Sequence, residues 1–365
     1  YGNVYRYDES HVPTTGHNCP IEAWEALGTG SVSENSRGYL VKKNTAGTIT
    51  ASGTPNIGSS YTISGLTNSG WSNSTAGGFT ASSGWHLAGN AYLSKLDLGK
   101  GNSYAASSGV GAQVHIWNES QADYDAYMMN NPAAIPVAPF QGFYVRALSN
   151  GASFTLSGND RSRTVAGATF WQQSNDHQLD ITVSNPATGK TGKTVVAFNG
   201  SATNGFDGEM DANKLPAAMN RHTLYTVNNG EMMSINTLKS IEETSTVDMN
   251  MYVGATGNYT MNFAGISSFD PTSYIMLEDK KLNVWHNARN GDYTFSADSA
   301  DNSARFVLHF TPKAEIKSLS SDCNNSGTIS IVQPGTASWN YTIAGSNGTV
   351  ATGTLNQNNP IAQSA

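Results

Sequence analysis

The amino-acid sequence predicts an all-β fold made of tandem antiparallel β-sandwich domains. Apolar residues recur at every second position in many short segments, which is the spacing of a half-buried strand. Only 13% of the 365 residues are charged while 10% are aromatic, and such aromatic content argues against a disordered chain. The 37 glycines, with many asparagines, suit tight turns because both residue types tolerate positive φ.

The alternating segments form two series along the chain. The first series consists of residues 37–43, 48–52, 60–66, 114–118 and 142–148. The second consists of residues 177–184, 193–199, 222–227, 246–253, 258–263, 273–277 and 305–310. The gaps between segments are too short for the crossovers that parallel strands require. We therefore expect antiparallel pairing, with two stacked sheets in each domain.

Two interruptions divide the sequence into three predicted units. At roughly 150 residues per domain, the two strand series predict one β-sandwich over residues 1–168 and a second over residues 169–313. Residues 312–317 have the composition of a linker. Residues 314–365 contain a new strand pattern around Pro334-Gly335, and we expect this unit to be incomplete. We also expect the chain to be a processed or trimmed piece of a longer protein.

Helical patterns are few. Residues 21–27 could form two turns after Pro20, and residues 121–130 could form a short helix with Ser120 as its N-cap. Each helix would cover the edge of a sandwich.

Charge, hydropathy and cysteine content limit the classes of function. The net charge of −7 and the absence of a basic run longer than Lys42-Lys43 or Lys280-Lys281 argue against nucleic acid as a partner. No apolar run reaches the roughly 18 residues of a membrane-spanning helix, so the chain is not predicted to span a membrane. Cys19 and Cys323 are too far apart for a CxxC motif, and the sequence leaves their disulfide state open. Low charge with abundant Ser, Thr and Asn favours an extracellular location.

The most distinctive motif is Gly84-Trp-His-Leu-Ala-Gly-Asn-Ala-Tyr, which continues to Leu98. Alternation places Trp85 and Leu87 on one face of a strand. A turn follows, in which the side chain of Asn90 can bond its own backbone, and Tyr92, Leu96 and Leu98 return to the core. The physical interpretation of the motif is structural.

This motif resembles the Gly-Trp-x-Leu-x-Gly-Asn-Pro-Tyr-Pro segment of large cell-surface and secreted proteins of the Bacteroidetes, many of them exported by the type IX secretion system. Ala91 and Leu93 stand where that family usually has proline. Segments similar to the family's other strands occur in the same order, so the resemblance covers about residues 5–312. Residues 323–365 resemble, more weakly, the start of an immunoglobulin-like or adhesin-type repeat.

The resemblance implies a place and a general role. Such domains are β-sandwiches in adhesins, filament subunits and enzymes, and they lie at the cell surface or are secreted. The resemblance also implies that Asp298-Ser-Ala is similar to the O-glycosylation sequon of these exported proteins, with Ser299 as the acceptor.

One acidic segment could bind a metal ion. Asp207, Glu209, Asp211 and Asn213 occupy every second position, so in a turning loop their oxygens could converge on Ca²⁺, which prefers six to eight oxygen ligands. In an extended strand the same spacing would give one solvated polar face. The segment lacks the glycine and the final glutamate of an EF-hand loop. Ca²⁺ is the one cofactor that the sequence suggests.

The remaining candidate site is a tryptophan in a polar loop. Trp71 lies in Asn68-Ser-Gly-Trp-Ser-Asn73, where no alternation requires burial, so it could contact a ligand such as a sugar ring; a core or rim position is the alternative. The chain contains no His-Glu-x-x-His pair, no Gly-x-Ser-x-Gly elbow and no phosphate-binding loop. The isolated histidines His86, His115 and His309 are interpreted as surface or hydrogen-bonded sheet residues.

These observations predict a non-catalytic extracellular surface protein that acts as an adhesive, stalk or filament-forming module. Its expected partners are subunits of the same assembly or surface glycans. The alternative is an accessory carbohydrate-binding region of a secreted polysaccharide-degrading enzyme.

Overall fold

The protein is almost entirely β in the part that the structure describes, which confirms the predicted fold class. A computed structural model describes residues 3–11, 23–27, 35–42, 54–70, 73–74, 80–162, 175–215, 222–242, 244, 246–271, 273–298, 304–311, 315–319, 328–332, 339–345, 348–355 and 361–364. One four-residue α-helix, α1 (Asn102–Ala105), and several 3-10 turns interrupt the strands. Among these residues, no helix has the length and apolarity needed to cross a membrane.

The N-terminal unit contains fourteen described strands. They are β1 (Asn3–Tyr7), β2 (Trp24–Leu27), β3 (Tyr39–Lys42), β4 (Ser60–Leu66), β5 (Asn73–Ser74), β6 (Thr80–Ala81), β7 (Trp85–Gly89), β8 (Lys95–Asp97), β9 (Val110–Asn118), β10 (Asp123–Met128), β11 (Pro136–Val137), β12 (Gly142–Ala147), β13 (Ala152–Ser157) and β14 (Arg161–Ser162). Twelve of them form sheets in the orders β2-β1-β3, β10-β9-β12-β7, β11-β8-β14 and β13-β4, and all pairs in these sheets are antiparallel. The other two, β5 and β6, join the large sheet of the second unit.

The sheet β10-β9-β12-β7 is buried on both faces. Residues paired across strands share a face, and the register pairs Tyr144 with His115 and Arg146 with Trp85. These four side chains are turned away from the core of their own unit, which is filled from the other face by residues such as Val114 and by the strands β4 and β13. The sheet therefore needs a second partner.

The motif at residues 84–98 folds as the sequence predicts. Trp85 is fully buried, and Leu87 packs against the same cluster. The Asn90 side chain accepts a hydrogen bond from the Tyr92 backbone N–H at 2.9 Å and donates to the backbone oxygens of Ser94 and Ala138 at 2.9 and 3.0 Å. This one amide therefore closes the turn at residues 90–94 and ties it to the backbone at Ala138.

The second unit is dominated by one large sheet. Its strands are β15 (His177–Asn185), β16 (Lys190–Phe198), β17 (Ala212–Asn213), β18 (Thr223–Asn228), β19 (Glu231–Leu238), β20 (Thr246–Tyr252), β21 (Gly257–Ala264), β22 (Tyr274–Asp279), β23 (Val284–Asn287), β24 (Tyr293–Ala297) and β25 (Phe306–Thr311). The main path runs β23-β22-β25-β20-β18-β19-β16-β15-β21-β24; β6 and β17 pair with β19, and β5 pairs with β6.

This sheet curls so that its distant strands face each other across one hydrophobic core. Phe295 in β24 contacts Phe306 in β25 with ring centroids 5.2 Å apart. Tyr293 donates a hydrogen bond to Asp279 in β22 at 3.0 Å, and Arg305 closes the end of the core with an ion pair to the same carboxylate at 2.6 Å. The curl replaces the second layer of a sandwich.

One strand pair differs from the antiparallel expectation. β16 and β19 are parallel, with Val195 opposite Ile235. A parallel pair needs a long crossover, and residues 199–230, which include β17 and β18, provide it.

The two units share buried clusters instead of standing apart. One cluster combines Tyr7, Trp85 and Tyr144 with Tyr225 and Met232. A second combines residues of β9 and β10 with residues of β16, β17 and β19, namely Ala112, Ala126, Met128, Val195, Ala197, Ala212 and Ile235. The sheet β10-β9-β12-β7 thus packs against the outer face of the large sheet. The predicted unit boundaries at residues 168 and 313 lie outside the described residues.

The C-terminal region forms two small antiparallel sheets. Its strands are β26 (Glu315–Leu319), β27 (Thr328–Val332), β28 (Trp339–Gly345), β29 (Gly348–Leu355) and β30 (Ile361–Ser364). They pair as β26-β27-β30 and β28-β29.

Both predicted helices are corrected by the structure. Residues 24–27 form β2, and residues 123–128 form β10, which pairs with β9 in a hairpin. The side-chain oxygen of Asn118 accepts hydrogen bonds from the backbone N–H groups of Ser120 and Gln121, so the polar residues after β9 close a turn. Tertiary pairing overrides the helical spacing.

Candidate functional site

A cleft opens where the two units meet. Its volume is about 470 Å³, and it is lined by Asn68, Arg146, Leu148, Phe206, Gly208, Asn228, Asn229 and Glu231. Three of these residues come from the N-terminal unit and five from the second, so the cleft depends on the packing between the units. Arg146 and Glu231 are the ionisable members of the lining.

Arg146 is held rigidly at the base of this cleft. It is 7% exposed; its Nε donates to the Ser83 backbone oxygen at 2.8 Å, and its Nη1 donates to Oδ1 of Asn213. The guanidinium lies 5.4 Å from the ring centroid of Phe206, a cation-π contact. Burial lowers the pKa of Arg146, although the charge of Glu231 acts to raise it; an arginine stays protonated in either case.

Glu231 occupies the start of β19, and one of its oxygens is fully engaged. Oε2 accepts hydrogen bonds from Ser82 Oγ at 2.8 Å and from Asn213 Nδ2 at 2.7 Å. The amide of Asn213 therefore bridges Arg146 and Glu231, donating to the carboxylate and accepting from the guanidinium. This bridge fixes the spacing of the two charges.

The segment that the sequence singled out for calcium forms the wall next to the cleft. Asp211 is fully buried, and its two oxygens accept backbone N–H groups of Asp207 at 2.7 Å and Thr237 at 2.6 Å. Asp207 accepts from Thr203 N–H at 2.6 Å. Glu209 accepts from the Tyr104 hydroxyl and from Asn130. Each carboxylate thus has its own protein donors.

The structure does not bring the four predicted metal ligands to a common point. Asn213 directs its oxygen to the Arg146 cation, and Asp211 is turned into the protein. In the described part of the chain, no group of three or more His, Cys, Asp or Glu side chains is arranged to hold a metal ion. Burial raises the pKa of Asp211 to about 7, whereas its two backbone hydrogen bonds lower it.

The other predicted site residues lie outside the described residues. These are Trp71, Ser299, Cys19 and Cys323. Ligand contact, glycosylation and disulfide state therefore stay predictions.

A buried polar network continues from the cleft along the junction. Lys214 forms an ion pair with Asp123 at 2.7 Å, with side chains 2% and 6% exposed. Burial raises the pKa of Asp123, and Lys214 acts to lower it. His115 is fully buried, and its ring lies 4.8 Å from that of Trp85. Burial holds the pKa of His115 well below its usual value, and Lys214 and Arg146 lower it further.

Most residues of this site could not be predicted from the sequence. Arg146, Asp123 and Lys214 were ordinary charges in the sequence, and their importance comes from a face that only the second unit covers. One signal was present: Arg146 interrupts the apolar strand Gly142-Phe-Tyr-Val-Arg-Ala147 at a position that alternation places beside Tyr144 on an inner face.

Comparison with known proteins gives one match. A family profile described as "Domain of unknown function (DUF8693)" matches residues 1–310. The chain belongs to this family. Neither curated proteins nor solved structures gave a match. The DUF8693 match includes both units and every residue that lines the cleft, so the junction lies within the region that defines the family.

Proposed function

We propose that this chain is a non-catalytic extracellular surface module that acts as an adhesive, stalk or filament-forming part of a larger protein. The resemblance of the motif at residues 84–98 to exported Bacteroidetes surface proteins supports the location. The observation that carries the role is the junction, where two units share buried clusters and a buried ion pair.

A shared core suits a load-bearing module. Separating the units would expose large aromatic side chains, including Trp85 and Tyr225, and would leave the charges of Asp123 and Lys214 unpaired, which is costly. The two units would therefore move as one body. A stalk or filament needs such stiffness.

The cleft supports binding without catalysis. General acid-base chemistry needs a group that gives or takes a proton near neutral pH. Arg146 stays charged, which leaves Glu231 as the one proton-transfer group among the lining residues. His115, Asp123 and Asp211, whose pKa values are shifted by burial, are buried inside the protein.

Surface location can be tested on cells that make the full-length gene product. Antibodies against this region are applied to intact and to permeabilised cells. We expect labelling of intact cells. Labelling that appears only after permeabilisation would overturn the extracellular proposal.

A second candidate function is an accessory carbohydrate-binding region, and the cleft favours it. Its walls carry the amides of Asn68, Asn228 and Asn229 and the aromatic ring of Phe206, which are side chains that contact sugars well. A glycan array with the purified chain tests this function, with Trp71→Ala as a second probe. We expect glycans to bind and to keep their mass. A lower mass after incubation would show that the chain cleaves them and would contradict the non-catalytic proposal.

A further inference from the structure

We infer that the junction cleft binds a carboxylate-bearing sugar, such as a uronic acid residue of a short oligosaccharide. This inference deepens the glycan-binding function proposed above and rests on it. It concerns the charge and hydrogen-bonding chemistry of the ligand.

Arg146 has a hydrogen-bond donor without an acceptor among the described residues. Nε and Nη1 have acceptors, but in the described part of the chain Nη2 has none, and the salt bridges found there do not include Arg146. Asn213 separates the guanidinium from Glu231, so this buried cation has no direct ion-pair partner among the described residues, which is unfavourable. It lines the cleft, so a ligand carboxylate could reach it and form a charge-assisted hydrogen bond.

Several hydrogen-bond acceptors lie around the Arg146 guanidinium and have no described donor. Glu231 uses Oε2 for protein donors, and no described donor reaches its Oε1. The Asn228 amide nitrogen bonds Asn236 at 3.1 Å, while its oxygen has no described donor. Asn229 has no described side-chain hydrogen bond and is exposed on the cleft wall. These oxygens can accept hydrogen bonds from a ligand that donates.

Together these groups select against simple anions. Phosphate or sulfate would satisfy Arg146 but would offer few or no protons to Glu231. Glu231 repels any anion bound at Arg146, so the ligand must also carry donors that its carboxylate can accept from. A uronic acid combines one carboxylate with several hydroxyl donors on a rigid ring. A cleft of about 470 Å³ also lies in the usual range for small-molecule sites, about 300–1,000 Å³.

A peptide carboxyl terminus would provide the anion but fewer donors. Its backbone presents one N–H per residue, whereas a sugar ring presents hydroxyls on neighbouring carbons. The sugar therefore matches the clustered acceptors better, and the peptide becomes an outcome of the test.

The test is isothermal titration calorimetry of the full chain with a trisaccharide of galacturonic acid and with its methyl ester. The ester keeps the hydroxyls and removes the charge. We expect the acid to bind at least about tenfold more tightly, the factor that one charge-assisted hydrogen bond supplies. Substitution of Arg146 could unfold the junction. The role of charge is therefore tested by changing the ligand and not the protein.

Two variants locate the site. Asn229→Gly keeps the left-handed backbone, φ 49°, and removes an exposed side chain; we expect binding of the acid to weaken several-fold. Asn290→Ala removes an exposed asparagine that does not line the cleft, and binding should not change.

Equal binding of acid and ester would overturn the inference and leave a neutral-glycan site. Binding of the acid that Asn229→Gly leaves unchanged would place it elsewhere and also overturn the inference. So would tighter binding of a short peptide with a free carboxyl terminus, or no binding of either trisaccharide. In these cases the surface role still stands or falls on the labelling of intact cells.

Discussion

Single residues at the junction determine how the protein responds to substitution and to pH. Lys214 and Asp123 are paired in a nearly water-free environment, and Oδ1 of Asp123 has no hydrogen-bond partner among the described residues. His115 lies close by with an unpartnered Nδ1 in the same part of the structure. These groups are tolerated because each is positioned by the packing of both units.

Removing one member of the buried ion pair should be strongly destabilising. Lys214→Met leaves the Asp123 carboxylate buried and unpaired, and we expect a loss of about 3–5 kcal/mol in the free energy of unfolding. Urea denaturation measures it. Lys280→Met is the matched control, because Lys280 and Asp248 are 3.9 Å apart with side chains 41% and 57% exposed, and an exposed pair contributes about 0–1 kcal/mol. Similar losses in both variants would contradict this account.

His115 should make stability fall in mild acid. Its pKa is lowered in the folded state by burial, Lys214 and Arg146, so the unfolded chain takes up a proton below about pH 6.5 that the folded chain excludes. Its contribution to stability is thus present above that pH and declines below it by about 1.4 kcal/mol per pH unit. The raised pKa values of Asp123 and Asp211 act in the opposite direction, so the comparison with a variant is needed.

The pH experiment compares the wild type with His115→Gln in urea denaturation between pH 5 and pH 7.5. The variant should lose the part of the decline that His115 causes. His177→Gln serves as the control, because His177 is only partly buried and stacks on Phe269. A decline that is equally steep in the wild type and His115→Gln would assign the effect to other groups.

His86, His115 and His309 were interpreted as surface or hydrogen-bonded sheet residues. Two of them have such contacts, since Nε2 of His86 lies 2.8 Å from the Thr67 backbone oxygen and Nε2 of His309 lies 2.8 Å from Glu278. His115 differs, because it is fully buried and its Nδ1 has no partner among the described residues. Arg146 and Lys214 could not be assigned in this way, because their partners are 67 and 91 residues away in sequence.

At the level of elements, the strand that opens the Gly-Trp motif depends on a glycine. Gly84 has φ of +89°, and an added Cβ would lie 2.3 Å from the Ala147 backbone oxygen. The same glycine donates its N–H to Glu9 at 3.1 Å. Both the conformation and the close approach therefore exclude a side chain.

Gly84→Ala should destabilise the protein more than the same substitution at a glycine where only the positive φ disfavours a side chain. Gly151 has φ of +80°, with nothing within 4 Å of an added Cβ, so Gly151→Ala should cost about 1 kcal/mol. We expect Gly84→Ala to exceed that by about 1–3 kcal/mol, because overpacking adds to the backbone strain. Thermal and urea unfolding of the two variants provide the comparison; equal losses would mean that the Ala147 carbonyl moves freely.

The acidic element at residues 207–213 should not need calcium for stability. Asp207, Glu209 and Asp211 already accept hydrogen bonds from protein donors, so we expect the melting temperature to be the same with excess EGTA and with millimolar Ca²⁺. A ligand that binds only the folded state raises apparent stability. A melting temperature that rises with Ca²⁺ in the wild type but not in Asp207→Asn would contradict this prediction and support the metal site that the spacing first suggested.

Strands with strict alternation could be located from the sequence because alternation reports which face is buried, whereas strands such as β13 and β19 were not predicted. The strand over residues 60–66 has the predicted bounds, and the strand over residues 305–310 is shifted by one residue. The prediction of a helix over residues 121–130 was wrong because these residues form a strand that is buried on both faces. Ala126 and Met128 face the second unit, and Tyr127 faces the core of its own unit. Burial on two sides hides the period of two.

For the whole molecule, the junction predicts cooperative unfolding of residues 1–313. The two units share two buried clusters, so loss of one unit exposes the apolar face of the other. Differential scanning calorimetry should show one transition for this region, with the calorimetric enthalpy equal to the van't Hoff enthalpy. Two separated transitions would indicate independent domains.

The burial of β9 on both faces also limits how this protein can vary. In an ordinary surface strand, the side chains that face solvent can be replaced by almost any polar residue. In β9, the row that contains Val114 and Ile116 meets the core of its own unit, and in the other row Gln113 donates a hydrogen bond to Oδ1 of Asn213 in the second unit at 3.3 Å. Among DUF8693 relatives, neutral change should therefore accumulate in turns such as the one that follows Asn118, while both rows of β9 keep their size and polarity.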